Sequence, residues 1–371
     1  CKIKTIMDIS IIIQEINEQF NFFSKLFSKN NNFPLSYSIS NGLLFCDLHH
    51  WTCSFPTGSM WYLYELTGHD KWKNIAIKST PKFENAKNRT NTHDLGFIIY
   101  CSYGNAYRIT KKTKYKSVII QASNTLIKRF NSNIGCLRSW DFGDWKFPVI
   151  IDNIMNLEML LWASKITGKS IYKHIAIKHA DLTMKNHYRS NFSCFHVIDY
   201  DENNGQVIKK QTYQGLNDQS SWARGQAWGF YGYVMLYRET RIDRYLKFAE
   251  SIASYILDNL PDDMIPYWDF DVDNNNDQLK DASAGSIICS AFYELSEYVP
   301  NKNKYYYNIA YMILKSLSSK QYRAEIGTNH GFLLLHSTGN KHENTQIDAS
   351  ISYADYYYLE SLKRHIYYKN I

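Results

Sequence analysis

ASKITGKSIY, residues 163–172, is one of five stretches in this chain built to a single plan. The others are LYELTGHDKW (63–72), AYRITKKTKY (106–115), YRETRIDRY (237–245) and SEYVPNKNKY (296–305). In four of them a threonine (Thr67, Thr110, Thr167, Thr240) ends a helical run, and an aromatic follows five residues later: Trp72, Tyr115, Tyr172, Tyr245. Pro300 and Tyr305 are expected to make the fifth pair. Ala76, Ala176 and Ala249 place a small residue where a second helix must pack closely on the first. Each unit therefore reads as helix–turn–helix. Extending the apolar periodicity outward predicts first helices over 58–66, 94–109, 152–166, 224–239, 282–298 and 353–365. Second helices are predicted over 8–28, 69–80, 113–130, 170–187, 242–259 and 302–319, and 29–56 is left as a loop. Ile9, Ile12, Ile13, Ile16 and Phe20 form the apolar stripe of 8–28. The turns fall at uneven intervals, which disfavours an open solenoid of fixed period. Six helices of each kind imply an all-α (α/α)6 barrel, a six-hairpin toroid, as one catalytic domain over 1–371 with 1–7 a candidate N-terminal linker. FHVIDY (195–200), DENNG and QVIKKQTY (206–213) interrupt the pattern as a small β-hairpin at one rim, closed at Asn204-Gly205.

Composition narrows the function. Hydrophobic residues make up 44% of the 371 residues, enough for a large core, and no apolar run approaches the ~18 residues of a membrane span. The net charge of +7 is dispersed rather than gathered into a basic stripe, which speaks against nucleic acid and mildly for acidic small substrates. Aromatics reach 16%, with 30 Tyr and 9 Trp, a load that suits core packing and sugar stacking alike. The seven cysteines are scattered and lack CxxC spacing, so neither a metal site nor a disulfide framework is expected, and no cofactor. Cys1 has two readings: the first residue of a processed bacterial lipoprotein, hence a candidate lipid anchor on a periplasmic or cell-surface protein, or a shortened sequence compatible with the cytoplasm.

Polar residues of unusual type stand near the start of every first helix: SFPTGSMW (54–61), THDLGF (92–97), IIDNIMN (150–156), SSWARGQAW (220–228), DASAGS (281–286) and DASISYADYYYLE (348–360). Parallel inner helices would bring these starts to one mouth of the ring, where free N–H groups and helix dipoles favour an anion. Asp281 and Asp348 read as N-caps. Asp152, among Val149, Ile150, Ile151 and Met155, is either a plain cap or a partly desolvated carboxyl held near neutrality, as a general acid requires. Capping does not account for Arg224, Gln226, Trp222 and Trp228 in one short segment. Asp141, Asp144, Asp199 and Asp201 read as solvated loop charges.

THDLGF, IIDNIMNLEML, QGLNDQSSWARGQAWGFYGY, DASAG and IDASISYADYYYLESL, in this order between about 45 and 365, resemble the unsaturated glucuronyl hydrolases, glycoside hydrolase family 88. The resemblance implies an (α/α)6 barrel and removal of a 4,5-unsaturated glucuronic acid from the non-reducing end of lyase-generated oligosaccharides of glycosaminoglycan or ulvan type. The implied chemistry is hydration of the C4=C5 double bond, an exception to displacement at the anomeric carbon. Asp152 would then protonate C4, and Asp94 is the second carboxylate, holding a ring hydroxyl and raising the Asp152 pKa by like charge. Arg224 would meet the substrate or order the site, and Trp228 would be a stacking floor. His93 stands beside Asp94, Gln214 and His196 match uronate-contacting positions, and Trp140 is either a further wall or core.

Ser54-Phe55-Pro56 departs from a glycine followed by aromatics. GLNDQSSWARG carries Asn217, and Gln219 where an acidic residue is expected. A sister family acting on unsaturated rhamnogalacturonan tends to read RGNGW where this chain has RGQAW, which favours the glucuronyl branch. A non-catalytic glycan-binding toroid is the alternative from another class, and retention of both Asp94 and Asp152 speaks against it.

Overall fold

A computed structural model describes residues 7–28, 32–273 and 276–369; Cys1 and most of the candidate linker lie outside the described residues. Helix α1 (Ile9–Phe23) is capped by Asp8, whose carboxylate accepts from Ser10 and Ile11, and continues as a 3-10 turn to Ser28. The expected loop then holds strands β1 (Phe33–Ser38) and β2 (Gly42–Cys46). Pro34 and the serines blur the alternation of apolar and polar residues that would mark these strands in the sequence.

Next come α2 (Phe55–Thr67) and α3 (Asp70–Ser79), then a π-helix over Gly96–Gly104 that runs into α4 (Asn105–Thr110), and α5 (Thr113–Leu126). Short strands β3 (Phe130–Asn131), β4 (Cys136–Leu137) and β5 (Pro148–Ile150) precede α6 (Asn153–Thr167) and α7 (Ser170–His187). Strands β6 (Val197–Tyr200) and β7 (Val207–Gln211) are followed by α8 (Ala223–Thr240), α9 (Asp243–Asn259), α10 (Ala282–Tyr298) and α11 (Asn303–Leu317). Strand β8 (Ser350–Ile351) and α12 (Ser352–Tyr368) complete the described chain.

Two burial patterns separate the helices. Along α8 every residue from Ala223 to Leu236 is buried, and along α10 every residue from Ala282 to Ser296. Helix α9 buries one stripe, Tyr245, Ala249, Ile252, Ala253 and Ile256. A helix apolar all round belongs inside, and one with a single stripe lies on the outside. The inner helices touch in the order α2, π-helix, α6, α8, α10, α12, and α12 returns to α2, closing the (α/α)6 ring. No helix among the described residues is long and apolar enough to cross a membrane.

The threonines close the hairpins by a shared device. Oγ1 of Thr67, Thr110, Thr167 and Thr240 donates to the carbonyl four residues back at 2.6, 2.6, 2.7 and 2.6 Å, and accepts from the N–H two residues on. The next residue is left-handed in each: Gly68, Lys111, Gly168 and Arg241, with φ of 71°, 56°, 72° and 56°. Its N–H caps a free helix carbonyl. Trp72, Tyr115, Tyr172 and Tyr245 are all buried. The fifth pair fails by one residue: a 3-10 turn at Pro300–Lys302 lengthens the connection, so Tyr306 is buried and Tyr305 is 53% exposed.

The rim hairpin is larger than expected. β6 pairs antiparallel with β5 and with β7, making three strands, and the turn spans Asp201 to Gln206 instead of closing at Asn204-Gly205 alone. Asp201 Oδ1 accepts from the N–H groups of Asn203 and Asn204 at 2.9 and 3.3 Å, so it shapes the turn. Asp199 is buried, accepting from the Phe147 N–H at 2.8 Å, and Asp141 is paired with Arg129 at 2.8 Å. Of the four aspartates read as solvated charges, Asp144 alone is simply exposed. A second sheet, β2-β1-β8, pairs Ser36 with Ile351.

A lysine in the left-handed region costs about 1 kcal/mol that a glycine does not. Lys111→Gly should therefore raise the stability of the protein by about 1 kcal/mol, read as an upward shift of the thermal midpoint.

Candidate active site

Asp152 occupies the N-cap position of α6 yet makes no side-chain cap bond, which leaves its carboxylate free to face the mouth of the ring. Strand β5 delivers it there. Pairing of Ile150 with Val197, and donation from the Ile151 N–H to the His196 carbonyl at 3.0 Å, set Asp152 beside His196. The Tyr213 and Gln214 N–H groups both donate to His196 Nδ1 at 3.2 Å. Nδ1 is thus an acceptor, so the neutral ring carries its proton on Nε2, which stands 3.6 Å from Asp152 Oδ2. Burial, then the charge of Arg224, hold His196 well below its usual range, consistent with a neutral ring.

Asp94 arrives from the segment before the π-helix. Its carboxylate lies 2.9 Å from His93 Nε2 and accepts from Thr92 Oγ1 at 3.1 Å. The two carboxylate segments are joined through Ser139. Its carbonyl accepts from the His93 N–H at 3.1 Å, its N–H donates to the Pro148 carbonyl at 2.8 Å, and its Oγ accepts from the Ile150 N–H at 2.9 Å. Below them, the Phe97 N–H donates to Asn156 Oδ1 at 3.0 Å. Gly96 is needed at that crossing, because a Cβ there would come within 2.5 Å of the Asn156 Cα.

The two acids have opposite characters. Burial dominates Asp152 and pushes it up to about 6; His93 and Arg224 work against the rise and the charge of Asp94 adds to it. Burial would also raise Asp94, but His93, Thr92 and His50 outweigh it and hold the group below the usual carboxylate value. Near neutrality one carboxyl can donate a proton while its neighbour remains an anion.

Arg224 is fully buried and its terminal nitrogens are committed. Nη1 donates to Asp281 at 2.9 Å and to the Thr338 carbonyl at 2.6 Å, and Nη2 to the Gly339 carbonyl at 2.5 Å. Its plane lies over Trp222 and Tyr353 at 4.5 and 5.3 Å. Of the two roles open to it, ordering the site is the one this geometry serves. Gln214 Nε2 joins the same Gly339 carbonyl at 3.0 Å. Asp281 caps α10 through the Ser283 N–H at 3.0 Å as well as pairing with Arg224. Asp348 does not cap: α12 begins beyond Ile351, and Asp348 pairs with His336 at 2.6 Å.

Trp228 corrects the expectation of a stacking floor. It is completely buried against Phe97 and Tyr357, with ring centroids 5.1 and 5.3 Å away, so it presents no face to a sugar. Trp140 is half-buried and 6.4 Å from the His196 ring, in the position of a wall. Trp140 Nε1, Asp152 Oδ2, His196 Nε2, Arg224 Nε and Trp228 Nε1 are buried without a hydrogen-bond partner among the described residues. Other buried polar atoms of the ring lack a partner too, but Asp152 Oδ2 and His196 Nε2 face each other at 3.6 Å beside Trp140, and such atoms can be satisfied by a bound ligand.

The sequence reading missed Ser139, Tyr353, and His50 with Trp51. His50 lies close enough to influence Asp94, and Trp51 packs on Phe97 and Tyr353 at 5.3 and 5.0 Å. HHW at 49–51 is a usable signal inside the segment expected to be a loop; Ser139 carries none.

Comparison with known proteins identifies the family. The family model described as Glycosyl Hydrolase Family 88 matches residues 41–358. The chain is 43% identical over 364 residues to an unsaturated glucuronyl hydrolase of Formosa agariphila, covering 95% of this chain and 90% of that one. It is 32% identical to an unsaturated chondroitin disaccharide hydrolase of Streptococcus agalactiae, over 91% of this chain and 86% of that one. A crystal structure of an unsaturated glucuronyl hydrolase specific for heparin superposes with a TM-score of 0.95 at 42% identity, covering 98% of both chains. An aspartate-to-asparagine mutant of the Streptococcus agalactiae enzyme complexed with dGlcA-GalNAc6S superposes with a TM-score of 0.83 at 30% identity, over 98% of this chain and 92% of that one.

A carboxyl titrating near pH 6 should be visible by carbon NMR and vanish in Asp152→Asn. Because the negative charge of Asp94 raises Asp152, Asp94→Asn should move that titration to lower pH.

Proposed function

The chain belongs to Glycosyl Hydrolase Family 88 and is an unsaturated glucuronyl hydrolase, and within that activity we propose that Asp152 is the proton donor and Asp94 the carboxylate that holds the substrate. The substrate is a lyase-generated oligosaccharide ending in a 4,5-unsaturated glucuronic acid, of glycosaminoglycan type as in the relatives' names.

Protonated Asp152 gives its proton to C4 of the vinyl ether, and the ring oxygen shares the positive charge that develops at C5. The carboxylate left on Asp152, with Asp94 nearby, is the electrostatic counterpart of that charge. Water adds its oxygen to C5 and returns its proton to Asp152. The hemiketal so formed opens at the bond between C5 and the ring oxygen, and the hemiacetal left at C1 then expels the remaining sugar. The sum is one water added and one linkage cleaved, with Asp152 restored. Asp94, held ionised by His93 and Thr92, is suited to accept a hydrogen bond from a ring hydroxyl. The Nε2–H of His196, without a hydrogen-bond partner beside Asp152, is a donor suited to the substrate. The observation that carries this assignment is Asp152 itself: buried, uncapped and raised to about 6.

Incubation with unsaturated chondroitin, hyaluronan, heparin and ulvan disaccharides should erase the near-ultraviolet absorbance of the double bond for at least one of them; persistence across the panel would contradict the activity. Asp152→Asn should lower turnover by about 10²–10⁴-fold while disaccharide binding, measured by calorimetry, survives. Since the protonated acid is the active form, kcat/KM should fall as pH rises through about 6, and Asp94→Asn should carry that limb to lower pH.

A further inference from the structure

The loop SWDFGDW (139–145) leaves the site and carries a stack of rings outward. Trp140 and Phe142 lie face to face, 4.9 Å between centroids and 18° between planes. Trp145 meets Trp140 edge-on at 5.2 Å, and Tyr213 closes on Trp140 and Phe142 at 5.5 and 6.0 Å. Gly143, at φ 76°, is what lets the loop fold over Trp145, since a Cβ there would lie 2.3 Å from that ring. Arg129 grips Asp141 at 2.8 and 2.9 Å, and Arg138 Nε donates to the Trp140 carbonyl at 3.0 Å. The base of the loop is thus pinned while Phe142, at its crest, is 52% exposed.

A single exposed apolar residue needs no explanation. This one differs in being held rigid by three other aromatic rings and two arginines beside the mouth of the site. A preorganised ring costs little entropy to dock against, and its face matches the C–H face of a pyranose. The order Asp152, His196, Trp140, Phe142 runs outward, with His196 3.6 Å from the acid, Trp140 6.4 Å from His196 and Phe142 4.9 Å beyond Trp140. Exposure rises along that order, from buried Asp152 and His196 through half-buried Trp140 to Phe142.

We propose that Phe142, carried on Trp140 and Trp145, is a stacking platform for the second pyranose on the leaving side of the cleaved linkage, so that it sets a preference for longer unsaturated oligosaccharides over disaccharides. The platform deepens the hydrolase reading and rests on it. Its ligand is a pyranose presenting an apolar face.

The test compares kcat/KM for an unsaturated disaccharide and the tetrasaccharide of the same polysaccharide in the parent protein, Phe142→Ala and Phe142→Trp. The ratio of tetrasaccharide to disaccharide kcat/KM should fall about five- to tenfold in Phe142→Ala, through KM on the tetrasaccharide, and return in Phe142→Trp. An unchanged ratio, whether because neither substrate or both substrates suffer, would overturn the platform. A parent protein that turned over neither substrate would remove the hydrolase reading and the platform with it.

Discussion

Two carboxylates come within electrostatic reach of each other in this protein because Ser139 joins the segments that carry them. One residue receives the backbone N–H that precedes Asp94 and the one that precedes Ile151 and Asp152, and donates its own to β5. Backbone hydrogen bonds of this kind are individually worth about 1 kcal/mol, but they fix position far more stiffly than a side chain can. Like charges brought together without such a frame would relax apart. The rest of the site inherits that placement: His196 through β5–β6 pairing, and Asn156 through its bond to the π-helix.

Given that frame, the division of labour between the acids follows from solvation. Asp152 is buried and Asp94 partly so, so desolvation pushes both in the same direction, and the partners decide. Asp94 has His93, Thr92 and His50 around it and stays charged. Asp152 has no cap bond and only more remote positive charge, so burial wins. Arg224 supplies part of that charge, but the carboxylate of Asp281 at 2.9 Å meets most of its demand. The arginine therefore serves as a brace between α8, α10 and the 338–339 backbone, and its field at Asp152 is moderated by its partner.

The ring was legible because its signals are local and repeated. A threonine that bonds back four residues and an aromatic that must be buried five residues on leave the same mark in four hairpins, and only the proline turn displaced it by one position. The start of each inner helix could be read for the same reason. What escaped reading depends on partners distant in sequence. Strand β1 pairs with β8 across more than 300 residues, Ser139 acts through its backbone, and the burial of Trp228 is set by Phe97 and Tyr357 from two other helices. A tryptophan one turn beyond Arg224 looked like a sugar platform, and nothing within its own segment marked it as core.

The junction of α12 with α2 and of β8 with β1 has a consequence for how the molecule is made. Each hairpin can assemble from residues close in the chain, but the last seam brings together segments more than 300 residues apart, and the entropy of that closure is spent before its contacts form. During synthesis the carboxylates, both in the first half, would emerge long before the seam is available. The mouth is therefore complete only when β8 and α12 have arrived, and a nascent polypeptide carries the acids before it has the walls around them.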